Sequence, residues 1–182
     1  DIYMSAISEK SEGNCLNLYA LDIESSFSGR STVVENRTLN VPLVSNTSSP
    51  DTGAGLCWAA SSASIINYRV GTSYSAISLY NTLKYYYPPS SDGYPDSSFV
   101  HRAFAINSLS STYHPAQNYY SIRDVINQNI PVYTGYIGHA IVLCGYRQES
   151  GGQFYYLIMD PNVSSKIWCH ITNPSQAGFT YV

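Results

Sequence analysis

The chain has 182 residues and a formal charge of -3, with 44% hydrophobic and only 12% charged residues, so it is long enough for one domain with its own core and carries about half the usual charge density. Nine Lys and Arg form no basic stripe, which excludes nucleic acid and an anionic membrane as partners. No apolar run reaches the ~18 residues of a membrane span, and the start DIYMSAISEK does not read as a signal peptide, so a processed or trimmed form is expected.

Residues 1 to about 48 lack helical periodicity. Alternation around Ser31-Thr-Val-Val and again over Leu39-Asn-Val-Pro-Leu-Val predicts strands or extended chain. A loop dense in Ser, Asn, Pro, Asp and Gly follows from Ser45 to Gly55. From Cys57 to about Tyr68 the apolar and small residues suit a buried helix that stops at Gly71 and carries Cys57 in its first turn. Further helices are predicted at Ser75–Tyr85, at Asp96 to about Ser108 with Asp96 as N-cap, and at Ser121–Asn129 with Ser121 as cap and Pro131 as terminator. The period then switches to two. Strands are predicted at 132–137, 139–146, 154–160, 166–171 and 178–182, so that helices followed by an antiparallel sheet make an α+β fold.

A thiol becomes a nucleophile when a helix N-terminus and an adjacent imidazole favour the thiolate. Cys57 has the first by position. Of the four histidines, His139 heads an apolar strand, GHAIVLCGY, behind a glycine; His101 lies in a polar helix, His114 in a Pro-containing loop, and His170 in a strand with no acidic neighbour. If Glu149-Ser150-Gly151-Gly152 connects the next hairpin, Gln148 faces Gln153 and His139 faces Asn162, which puts Asp160 and Asn162 on the face of His139 and Cys144 on the other. Asp160 and Asn162 are thus both candidates to orient the base. Cys15, Cys57, Cys144 and Cys169 show no CxxC pair and no zinc spacing, so no metal and no other cofactor is expected, and Cys144 and Cys169 read as core fillers.

GLCWAASSASIINY resembles the nucleophile helix of papain-like cysteine peptidases, and NIPVYTGYIGHAIVLCGYRQ with FYYLIMDPN is similar to the His and Asp/Asn strands of their bacterial staphopain-like and C39-like branch. The resemblance spans about residues 57 to 162 in the order Cys, His, Asp/Asn. It implies a single papain-like peptidase domain over 1–182, with residues 1–40 as a prosegment remnant or an N-terminal extension. It also implies Cys57 as nucleophile, His139 as base and acid, Asp160 as orienter with Asn162 as the alternative, and a protein or peptide substrate. A prosegment or an inhibitor would be a further partner, and a monomer is expected. The polar, Tyr-rich, Lys-poor composition adds the expectation of a secreted protein whose surface uses Ser, Thr, Asn and Tyr.

One position departs from the family. Six residues before the cysteine, where a Gln amide usually donates to the oxyanion, stands Asp51, and Thr52 and Asn46 are the neighbouring donors. Two other readings therefore stay open: an amidase, deamidase or transglutaminase-like acyltransferase on the same scaffold, and a papain-like binding protein that has lost catalysis.

Overall fold

The computed structural model describes residues 2–6, 31–51, 53–87, 97–115, 117–136 and 139–175. Its centre is α1 (Cys57–Val70), in which nine consecutive residues from Trp58 to Ile66 are buried. Small side chains explain this: Ala59, Ala60 and Ala63 are wholly inaccessible, so the helix can be covered on every side. It ends where Gly71 takes a left-handed φ of 77° and its N–H returns to Asn67 O at 3.0 Å. Helices α2 (Ala76–Tyr86) and α3 (Ser97–Ala105) pack on α1. Ser75 caps α2 in a reciprocal box with Ser78. Asp96, the expected cap of α3, lies outside the described residues. Helix α4 (Tyr119–Asn127) begins two residues before the predicted start, because Asn118, not Ser121, is the cap: its side chain accepts from the Ser121 N–H at 3.0 Å.

The described strands are β1 (Ile2–Ala6), β2 (Val33–Thr38), β3 (Ser111–His114), β4 (Val132–Tyr136), β5 (His139–Glu149), β6 (Phe154–Met159) and β7 (Ile167–Ile171). They form one sheet in the order β3-β1-β4-β5-β6-β7, with β2 also on β5. The α+β class thus holds. Two features depart from helices followed by a purely antiparallel sheet: β1 lies parallel to both β3 and β4, and β3 was not anticipated. The strand β5 is long enough to take β4 along residues 139–143 and β2 along residues 145–149 of the same edge. The segment expected as a strand over Leu39–Val44 does bury Leu39 and Val41, but only Leu39 N continues toward β5, donating to Cys144 O at 2.7 Å. Pro42 has no N–H with which to extend such a ladder. The strand expected at 178–182 lies outside the described residues.

Tyrosine is more internal than its abundance suggested. Tyr119, Tyr146 and Tyr156 are among the largest fully buried side chains, and the Tyr119 ring stacks on Tyr156 at 5.4 Å, which fastens α4 to the sheet. No described helix is long and apolar enough to cross a membrane.

The hairpin between β5 and β6 closes through three residues rather than four. Glu149 N donates to Gln153 O at 2.9 Å and Gly152 takes a φ of 74°, so Gln148 lies opposite Phe154, one residue away from the expected register. A bulge between Leu143 and Gly145 then absorbs the offset, and Val142 faces Met159. From the bulge onward the pairing runs in the register the sequence reading required. Gly145 makes the bulge possible: a Cβ there would lie 2.8 Å from Arg37 O and 3.0 Å from Leu157 Cβ. Gly145→Ala is expected to destabilise the protein by about 1–3 kcal/mol. Urea unfolding should show a lower midpoint with an unaltered slope; an unchanged midpoint would contradict this packing.

Candidate active site

Cys57 is the first residue of α1, half-buried, with no side chain capping the helix at Leu56. The first-turn N–H groups of a helix lack intrahelical acceptors, so this end carries partial positive charge. The helix is fixed against the sheet by Ser61, whose buried hydroxyl donates to Ala140 O at 3.0 Å. Ser61 lies one turn beyond Cys57, and Ala140 follows His139, so one hydrogen bond sets the thiol beside the imidazole. On the other side of β5, Gly135 lets β4 approach: a Cβ at that position would meet His139 O at 2.9 Å.

His139 Nε2 hydrogen-bonds Asp160 Oδ1 at 2.8 Å, with the two side chains 12% and 6% exposed. That bond leaves Nδ1 as the nitrogen for Cys57, with which the imidazole also hydrogen-bonds. Asp160 is buried at the end of β6, and the same oxygen accepts the Asn162 N–H at 2.8 Å. Asn162 is exposed and turned elsewhere: its Oδ1 accepts from Asn46 Nδ2 at 2.7 Å. Of the two carboxylate or amide candidates, Asp160 is therefore the one on the imidazole.

The charges are mutually supporting. Burial pushes the Cys57 thiol up, but the His139 hydrogen bond, the backbone at Ala140, the His139 charge and the Trp58 backbone together hold it below the ordinary cysteine value. For His139, burial acts downward, and the hydrogen bonds to Asp160 and Cys57 with their charges raise it to about 9. The other described thiols behave oppositely. Burial takes both Cys144 and Cys169 up to about 12, and Cys144 Sγ donates to Leu157 O at 3.5 Å. Cys15 lies outside the described residues.

The remaining histidines have other neighbours. His101 Nδ1 pairs with Ser111 Oγ at 2.6 Å, the His170 ring lies 5.2 Å from that of Tyr155, and His114 is in β3. Among the described residues, no group of three or more His, Cys, Asp or Glu could hold a metal.

Asp51 sits at the tip of a small hairpin. Ser48 and Gly55 form a bridge, Leu56 N donates to Thr47 O at 2.8 Å, and Ser49 N donates to Ala54 O at 2.7 Å. This fold returns the chain so that Asn46 lies over Gly55, two residues before Cys57: a Cβ on Gly55 would meet Asn46 Nδ2 at 3.4 Å. The Asp51 carboxylate instead reaches α2, where it accepts from Lys84 Nζ at 2.6 Å and Tyr80 Oη at 2.7 Å, and the Lys84 and Tyr80 hydrogen bonds hold its pKa below the usual range. Thr52 lies outside the described residues.

Sequence reasoning missed Ser61 and Tyr133. Ser61 was legible as the residue four beyond Cys57, on the same helix face. Tyr133 on β4 is partly buried and close enough to Cys57 for the thiolate charge to add to the desolvation that raises its phenol, a proximity that only the β4 to β5 pairing reveals.

The family model described as papain-like cysteine protease AvrRpt2 matches residues 35–173, which include Cys57, His139 and Asp160. No curated protein and no solved structure matches the chain.

A thiolate requires a pH above the lowered Cys57 value, and its imidazolium partner a pH below about 9. Cys57 should accordingly alkylate with iodoacetamide faster than an ordinary thiol at pH values below the ~8.5 at which such a thiol ionises. Peptide mapping should place the label on Cys57 and leave Cys144 and Cys169 unmodified; equal labelling of the three would contradict the electrostatics.

Proposed function

The chain belongs to the papain-like cysteine protease family, and from that premise we propose that it hydrolyses peptide bonds with Cys57 as nucleophile, His139 as acid and base, and Asp160 as orienter. The observation that carries this reading is one continuous chain of hydrogen bonds, from Cys57 through His139 to Asp160, at a helix N-terminus.

The Cys57 thiolate attacks the scissile carbonyl, a C–S bond forms and negative charge moves to the carbonyl oxygen. The C–N bond then breaks as the His139 imidazolium gives its proton to the leaving amine. Water attacks the resulting acyl-enzyme after losing a proton to His139, and breaking the C–S bond frees the carboxylic acid and regenerates the pair. Asp160 keeps Nε2 occupied, so Nδ1 remains the nitrogen that gives and takes the proton. For the oxyanion, Asn46 is better situated than Asp51. Its amide lies over Gly55 and is anchored to Asn162, whereas Asp51 is an ionised carboxylate held by Lys84. The backbone N–H of Cys57 is the second donor in this reading.

The same trio would serve an amidase, deamidase or transglutaminase-like acyltransferase, and release of peptide fragments against incorporation of an amine separates those activities. The inactive reading drew on the charge of Asp51, which Lys84 offsets. Placement in the staphopain-like and C39-like branch, a bacterial source and secretion rest on the motif strings and the composition, and form the outer part of this proposal.

Asp160→Ala should lower kcat/KM at least about tenfold and more than Asn162→Ala, with both variants folded by circular dichroism; the reverse ranking would give the orienting role to Asn162. Asn46→Ala should cost about 100- to 1000-fold, the usual effect of losing one oxyanion donor. Asp51→Gln should stay within about threefold of the parent, and a tenfold gain in that variant would return the oxyanion position to Asp51.

A further inference from the structure

Asn162, exposed and outside the trio, is tied to the site at both of its ends. Its backbone N–H donates to Asp160 Oδ1 at 2.8 Å, and Val163 N donates to Asp160 O at 3.1 Å, so the residue that holds the imidazole also closes the turn after β6. Its side chain reaches the loop before Cys57, where Oδ1 accepts from Asn46 Nδ2 at 2.7 Å. Alongside, Asn46 N donates to Pro161 O at 2.7 Å, so the two loops meet at two points rather than one. The Asn46 amide is fixed at its other atom as well: Oδ1 accepts from Thr47 N at 2.8 Å. A backbone N–H only donates, so this bond decides which amide atom is the oxygen and turns Nδ2 toward Asn162.

We infer that Asn162 is a positioning residue for the reaction, acting through Asn46 and not through His139. The inference rests on the reading of Asn46 as an oxyanion donor. An amide carries two N–H bonds; with one given to Asn162, the second is the one that would meet the oxyanion beside Gly55. Donors stabilise a developing oxyanion to the extent that they already point at it. A free Asn side chain turns about two bonds, and an amide turned over would offer its oxygen, which repels negative charge. Thr47 and Asn162 hold the two ends of the amide against that rotation. One line of hydrogen bonds then runs from His139 through Asp160 and Asn162 to Asn46, so the base and the oxyanion donor are set against the same turn.

A double-mutant cycle tests this, read as cleavage of an internally quenched peptide selected with the wild-type protein from a random-sequence library. Asn162→Ala keeps the backbone N–H for Asp160. It should lower kcat about three- to tenfold, the effect of one lost neutral hydrogen bond, with KM within about twofold of the parent. The pH dependence of kcat/KM and the rate of Cys57 alkylation should match the wild-type protein, because neither reads the oxyanion donor. In Asn46→Ala, assayed at proportionately higher enzyme concentration, adding Asn162→Ala should alter kcat less than about twofold. The same loss in both backgrounds, a shifted pH profile, or an Asn162→Ala protein equal to wild type would overturn the positioning role and leave the peptidase reading standing. Wild-type activity in Asn46→Ala would remove Asn46 as the donor and the role of Asn162 with it. Failure of the wild-type protein to cleave any peptide of the library would overturn the peptidase reading itself.

Discussion

The site depends on a carboxylate kept inside the protein. Asp160 is 4% exposed, and a buried carboxylate is tolerable only with hydrogen bonds and a counter-charge. It has His139 Nε2 and the Asn162 N–H on one oxygen. Each of these partners is itself placed by the fold: His139 by the start of β5, and the N–H by the turn that ends β6. The carboxylate in turn sustains a protonated imidazole, and that imidazolium sustains the thiolate. Removing the first member leaves the other two with little reason to be charged.

Bringing these groups together is a problem of register. In a hairpin a one-residue slip moves every side chain to the other face, so an error near the turn would carry Asp160 away from His139. The bulge between Leu143 and Gly145 corrects such an offset within the sheet, and Gly145 permits it because β2 passes too close for a side chain. The helix is aligned separately, through the Ser61 bond to Ala140 O and a covering of small residues that lets α1 lie against β5. The thiol and the imidazole thus come from two elements locked by a buried hydrogen bond one residue from the base, which limits the freedom the pair would otherwise have to separate.

Much of this was legible in the sequence, and what was not has physical causes. The buried helix after Gly55 and the alternating strands from residue 132 follow from side-chain size and period, so Cys57, His139 and Asp160 could be picked out before any coordinates. The hairpin reading reached the right face for Asp160 although it assumed a four-residue loop: the shorter loop and the bulge are compensating changes, and neither has a period to read. Counting six residues back from the cysteine led to Asp51. That count assumes a direct path, whereas the Ser48 to Gly55 hairpin folds the segment out and back, so Asn46, eleven residues away in sequence, is the amide beside the helix start. Parallel pairing of β1 with β3 and β4 was invisible because long-range partners leave no local mark.

The central claim is that Cys57 and His139 exist as a thiolate and imidazolium. Thiolate ultraviolet absorbance, followed against pH in the wild-type protein and in Cys57→Ser, measures this without any substrate. The wild-type protein should show one thiolate that Cys57→Ser lacks and that titrates below the ~8.5 of an ordinary cysteine. A wild-type signal that rises only near that ordinary value, or one that persists unchanged in Cys57→Ser, would contradict the account.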